Sequence, residues 1–526
     1  MGMNIKIVIG VILSMLSMRM HAQELISQLV FNQPYYSSGD TAYFSLRLVQ
    51  EDQKLNGILK MNLFDDSGSI LEIKFKVTDG LSTNQLALPN EIKPGSYPLS
   101  ISNEAGPALL KGHLNIEGVG QQESKINSSI MIKLDHQTSW KARQKSVVQV
   151  YATDAFGNRV DGYLTASVLS NRILKDRPIA TISNSESYKL SPRMIVKGTL
   201  RDQSSDELLP NGTSLMLYFQ KSRLRYLATV RENGYFESEI LDYYGDDELF
   251  LIAETPEGRI VSDISAVWEV NSATNSTPVK PYQGTKSEYK EFVTRKRLMD
   301  ESYGFYTSQD TLILDVSKGK ALDIIEPDYR VKPTEYVKFK NMAEFLKTIV
   351  DPVWCGEFEG KQSVRVKYLK PYEATSEPLY VIDGIVTLDT DYFMSLNQDD
   401  IEELIVIQDY RKLVRYGLLG KNGIVIIKSK NANQRPPVDR NKVLQGLSEP
   451  RPFPELTAKE IANEKRPYFS GNIAFQTDIR IENGEGLIYY SNMDNLGDHT
   501  IYLEGLTTKG ESFSAESTYQ VLKGEQ

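Results

Sequence analysis

The chain is poor in the side chains that most often carry chemistry. Among 526 residues there is one cysteine and there are four histidines. A single cysteine cannot close an intramolecular disulfide, and it excludes Cys-rich zinc and iron–sulfur sites. There is no Gly-x-Ser-x-Gly elbow, no His-Glu-x-x-His helix and no dinucleotide fingerprint. Cationic excess is also missing: Lys+Arg is 60 against Asp+Glu 69, a net charge of −9. That balance argues against nucleic acid or an anionic membrane as the main partner. Beyond the N-terminus no apolar run reaches the ~20 residues of a membrane helix. With 40% hydrophobic and 25% charged residues the composition is that of folded protein. At ~100–200 residues per domain, the length predicts several domains.

The N-terminus reads as an export signal over residues 1–22. Lys6 precedes the short apolar run Ile7–Leu13, Arg19 breaks it, and Ala22 stands before Gln23 at a plausible cleavage point. Cleavage would remove Lys6 and Arg19, take the net charge from −9 to −11, and leave His113, His136 and His499. Gln23 is not cysteine, so no lipid attachment is expected there.

The fold class expected is mainly β and multidomain. Thr41-Ala42-Tyr43-Phe44-Ser45-Leu46-Arg47-Leu48 alternates with the period of a half-buried strand, and turn clusters such as Asp65-Asp66-Ser67-Gly68 separate such runs. The pattern predicts β-sandwiches over 23–120, 121–187 and 188–270. A polar linker and a short helix occupy 271–327. The helix opens on the capping box Thr285-Lys286-Ser287-Glu288 and runs through Met299. Residues 328–430 read as α/β. Met342–Val350 is an amphipathic helix, Leu379-Tyr380-Val381-Ile382 a buried strand closed by the turn Asp383-Gly384, and Asn422-Gly423 a turn into strand Ile424–Ile427. A linker and a last sandwich fill 431–526.

Four strings invite a catalytic or ligand-binding reading, and none carries it. Trp354-Cys355-Gly356-Glu357-Phe358 stops short of the thioester sequence Cys-Gly-Glu-Gln, because Phe358 has no acyl group for the thiol to capture. Cys355 is then a small buried apolar residue or a free thiol. In Gly417-Leu418-Leu419-Gly420-Lys421-Asn422-Gly423 the glycine spacing is too short for a phosphate loop, and Asn422 replaces the magnesium-binding hydroxyl. The acids Asp246-Asp247-Glu248 and Asp399-Asp400 suit turns and helix starts. No catalytic, cofactor or metal residue is expected.

Several phrases resemble known families. Pro34-Tyr35-Tyr36-Ser37-Ser38-Gly39-Asp40-Thr41-Ala42-Tyr43-Phe44, with Leu86-Ala87-Leu88-Pro89 and Pro94-Gly95-Ser96-Tyr97, resembles macroglobulin-type domains. Val196–Asp202 with Glu232-Asn233-Gly234-Tyr235-Phe236 is similar to a carboxypeptidase regulatory-like sandwich. Glu377 and Pro378-Leu379-Tyr380-Val381-Ile382-Asp383-Gly384, then Ile401–Ile407, Tyr416-Gly417 and Asn422-Gly423-Ile424–Lys430, resemble in order the plug domain of TonB-dependent outer-membrane receptors. The resemblance implies tandem Ig-like or macroglobulin-like β-sandwiches plus one small α/β plug-like domain at 328–430. Residues 431–526 are too few for the membrane barrel such receptors carry. The expectation is therefore a non-enzymatic, exported adaptor at the periplasmic face of a Gram-negative outer membrane. Its partner would be a separate β-barrel protein or envelope complex. The alternatives are a stopper closing a large outer-membrane channel and a glycan- or peptide-binding module. Pro378, Leu379, Tyr380, Val381, Ile382, Asp383, Gly384, Tyr416, Gly417, Asn422 and Gly423 are the signature positions, read as fold-setting or docking residues.

Overall fold

In a computed structural model, the described residues are 24–50, 53–103, 106–117, 128–174, 176–185, 188–269, 280–281, 288–302, 326–358, 360–367, 376–432, 434–437, 442–461 and 466–524. The export-signal reading at 1–22 lies outside them. The chain is mainly β and multidomain, as its alternating strands predict. It divides into two compact units, one from Met1–Pro192, Asn271–Ser308 and Leu447–Gln526, the other from Arg193–Val270 and Gln309–Gly446.

The first unit holds two sandwiches. One stacks the sheet Ala180–Ser185, Leu25–Phe31, Thr41–Val49, Leu81–Ala87 against a sheet built on Gly95–Ser102, Gly57–Asp65 and Gly68–Val77. Alternation points Phe31, Phe44, Leu59, Phe75, Ile101 and Leu114 into its core, where each is fully buried. The sequence pattern puts Ala180–Ser185 in the second sandwich. It pairs antiparallel with Leu25–Phe31 instead, closing the first.

The other sandwich corrects the expected domain order. Lys145–Thr153 pairs with Glu485–Ser491, and Gly162–Ser170 lies between Asn472–Ile481 and Gly497–Thr507. The segments read as separate sandwiches at 121–187 and 431–526 are interleaved halves of one domain. Val148, Val150 and Val168 from the early half pack with Ile488, Ile501, Leu503 and Phe513 from the late half. Within the early half only Met131–Asp135 and Lys145–Thr153 pair with each other, and Gly162–Ser170 takes both its neighbours from the late half.

Helix Glu288–Ser302 runs three residues past the expected end, and residues 285–287 of its capping box lie outside the described set. It is seated by Tyr289, whose hydroxyl donates to Asp40 Oδ2 at 3.0 Å and accepts from Gln33 Nε2 at 2.8 Å.

The second unit joins a sandwich to the α/β segment. Met194–Asp202 is flanked by Tyr235–Ile240 and Ile264–Trp268, and Ser214–Phe219 pairs with Asp246–Glu254. Val443–Gln445, expected in the linker that opens 431–526, pairs with Asp246–Glu254. The α/β segment forms a five-stranded mixed sheet in the order Tyr329–Val331, Ile401–Ile407, Ile424–Ser429, Leu379–Ile382, Ile385–Thr387. Asn341 caps helix Met342–Ile349 by accepting from Glu344 N. Met216, Tyr218 and Ile252 of the sandwich enter the core of this sheet, so the two parts share one apolar interior.

Candidate functional site

The signature residues come together on the mixed sheet. Leu379–Ile382 runs parallel to Ile424–Ser429, pairing Leu379 with Ile424 and Ile382 with Ile427. A strand so enclosed must be apolar on both faces. Leu379, Tyr380, Val381 and Ile382 are each at most 1% exposed, and Pro378 before them is buried.

Asp383 and Gly384 then reverse the chain in two residues, because Ile382 pairs with Ile385. Both turn residues have positive φ, 47° and 86°, which is the tight hairpin that Asp-Gly favours. The Asp383 carboxylate reaches across to the neighbouring strand. It accepts from Ser429 N at 2.7 Å, Ser429 Oγ at 2.5 Å and Gln434 N at 3.1 Å. One residue thereby makes the turn and fastens the end of strand Ile424–Ser429.

The other signature positions sit at the start of that strand. Tyr416 is buried, with the Arg225 guanidinium 5.9 Å from its ring centroid. Gly417 has φ 56°, and a β-carbon there would lie 2.9 Å from Met216 Cε. Gly423, at φ 87°, accepts at its carbonyl from Leu379 N, and a β-carbon would come within 2.7 Å of Val366. Asn422 is buried beside it. The segment Val414–Gly420 is a 3₁₀ run with a break at Gly417.

Three residues outside the signature organise the site. The Glu377 carboxylate accepts from Ser363 Oγ at 2.7 Å, Val364 N at 2.9 Å and Thr390 Oγ1 at 3.1 Å, with the Tyr380 hydroxyl at 3.4 Å. Tyr380 stacks on Phe393 at 4.3 Å between centroids. Gln220 and Arg225 belong to the sandwich and contact Val386 and Tyr416. Glu377 is visible in sequence only as the letter before Pro378. Gln220 and Arg225 carry no sequence signal, since their partners lie more than 160 residues away.

Burial pushes the Tyr380 phenol well above its usual range, with the nearby Glu377 charge adding to the rise. Burial likewise raises the Cys355 thiol, which is 5% exposed. Asp247 is 1% exposed and accepts from Lys221 N and Ser222 N, both at 2.8 Å, so it fastens a loop. Among the described residues no three His, Cys, Asp or Glu side chains are placed to hold a metal ion. His136 and His499 both lie against the Tyr519 ring, and His136 Nε2 hydrogen-bonds Ser517 Oγ at 2.8 Å. Among the described residues no helix is long and apolar enough to cross a membrane. Beside Tyr416, the short helix Tyr410–Leu413 and the turn after it expose Tyr410 (41%) and Val414 (55%).

No family model matches the chain. TonB-dependent receptor P26 of Formosa agariphila is 28% identical to it over 123 residues, which covers 22% of this chain and 12% of that protein. The native-state structure of E. coli alpha-2-macroglobulin overlaps 96% of this chain at 10% identity and a TM-score of 0.24, using 40% of its own length. Salmonella alpha-2-macroglobulin reacted with methylamine overlaps 94% at 9% identity and a TM-score of 0.23, using 39%. The chain thus spans an eighth of the receptor's length and two fifths of the macroglobulins'.

Proposed function

We propose that the chain is a non-enzymatic envelope adaptor, exported to the periplasm or the periplasmic face of the outer membrane. In this reading it docks on a separate outer-membrane β-barrel protein or envelope complex through the region 328–430. The observation that carries the reading is the convergence of the plug-like phrases, in order, on one mixed sheet. The 28% identity to a TonB-dependent receptor over 123 residues supports it. Leu379–Ile382 and Tyr416 are too buried to touch a partner. They set the fold, and the contact falls to exposed neighbours such as Tyr410 and Val414.

The test is affinity isolation of the tagged chain from detergent-solubilised envelopes of its own cells. A β-barrel protein should be enriched with the native chain and lost with Val414→Glu and Tyr410→Ala together. Recovery of the chain with no barrel enriched would overturn the proposal.

A further inference from the structure

In the first unit a cleft of about 670 Å³ opens between helix Glu288–Ser302 and the interleaved sandwich. Its volume is that of a small-ligand site. The helix lines it with Glu288, Glu291, Phe292, Arg295, Lys296 and Met299. These spacings of three and four place all six on one face. The face is graded: acids at its N-terminal end, cations two turns on, and apolar Phe292 and Met299 between and beyond them.

The opposite wall adds donors that the protein itself does not use. Ser170 lines the cleft, is 1% exposed, and its hydroxyl has no hydrogen-bond partner among the described residues. A buried hydroxyl left unpaired is a cost that a ligand can remove. Asn495, 6% exposed, accepts from Ser470 N at 3.1 Å through Oδ1, which leaves its amide nitrogen to donate into the cleft. Arg172 and Lys296 reach the cleft and form no hydrogen bond or ion pair among the described residues. The Arg295–Glu291 pair on the helix face is long at 3.8 Å and exposed, a geometry worth little in water. Ile173 and Leu496 complete an apolar lining.

We propose that this cleft holds a short apolar peptide with both termini free. Its carboxylate lies at Arg172 and Lys296, its ammonium at Glu288, and its backbone takes the Ser170 hydroxyl and the Asn495 amide. The length follows from the helix. Glu288 and Lys296 are eight residues apart, a rise of about 12 Å at ~1.5 Å per residue. An extended peptide covers that distance in about three to four residues at ~3.3 Å each. A fatty acid offers no cation to the acidic end, and its only acceptors are the carboxylate oxygens that the two cations would take.

The experiment is calorimetric titration of the purified full chain with trileucine, with N-acetyl-trileucine amide, and with dodecanoate. Trileucine should bind saturably at one site, and the doubly capped peptide about tenfold more weakly. Arg172→Gln with Lys296→Gln should weaken trileucine about tenfold. Ser170→Ala should weaken binding without lowering the Tm, because no internal hydrogen bond is lost and an unpaired buried hydroxyl is removed. Equal binding of free and capped peptides, tighter binding of dodecanoate, unchanged affinity in the double variant, or no saturable uptake of trileucine would each overturn the proposal.

Discussion

Gln220 holds both backbone polar groups of Val386: its amide nitrogen donates to the Val386 carbonyl at 2.8 Å, and its amide oxygen accepts from the Val386 N–H at 3.0 Å. Val386 lies in Ile385–Thr387, the edge of the mixed sheet. An open edge would offer these groups to another strand. Here the neighbouring sandwich satisfies them with one buried side chain. Gln220→Ala should cost about 1–3 kcal/mol, the usual penalty for a buried polar group left unpaired. Urea unfolding of the second unit would measure it, and an unchanged midpoint would show that the clamp contributes nothing.

Asp383 combines a backbone role with a side-chain role, and two substitutions separate them. Asp383→Ala removes a carboxylate that accepts three hydrogen bonds and places alanine at φ 47°. The loss should be on the order of 3 kcal/mol. Asp383→Asn keeps the tolerance for positive φ and one acceptor, so it should lose clearly less. Equal losses would mean that the turn conformation is irrelevant.

Glu504 makes stability depend on pH. Its side chain is 3% exposed, and burial pushes its carboxyl up to about 7, opposed by the Arg177 guanidinium 2.7 Å away. Its folded pKa therefore lies above the ordinary value of 4.5. The fold favours the protonated form, so this contribution is complete below pH ~4.5 and is lost as pH rises through ~7. The size is on the order of 3 kcal/mol. Burial also raises Asp40, which acts in the same sense, and lowers His499, which acts oppositely as pH falls. The difference between the native chain and Glu504→Gln isolates the contribution of this one carboxyl. It should change between pH 5 and 8 when thermal unfolding is followed, and a difference that is flat across that range would refute the assignment.

The interleaved sandwich predicts the fate of truncations. A chain ending at Gly446 lacks the strands that flank Gly162–Ser170 and one of the two partners of Lys145–Thr153, keeping only Met131–Asp135. Val148, Val150 and Val168 would then face water. Limited proteolysis read by mass spectrometry should cut first within 128–174, whereas the native chain resists there. Protection of that segment in the truncated chain would argue for an independent second sandwich.

Local features are legible in the sequence. The Asp-Gly hairpin at 383–384, the fully apolar strand Leu379–Ile382, the turn at Asn422-Gly423 and the alternating strands follow from backbone sterics and from which faces must be dry. That Cys355 cannot form a thioester with Phe358 follows from covalent chemistry alone. The β character, the positions of the tight turns and the scarcity of reactive groups are thus local properties, readable along the chain. Which strands are neighbours is not. Alternation tells a strand which face is buried but not what lies beside it, so Gly162–Ser170 gives no sign that its neighbours lie three hundred residues on. The same holds for the hub at Glu377, the Gln220 clamp and the cleft beside Ser170: each exists because distant segments meet, and hydrogen bonds and desolvation act over a few ångströms of space, whatever the distance along the chain.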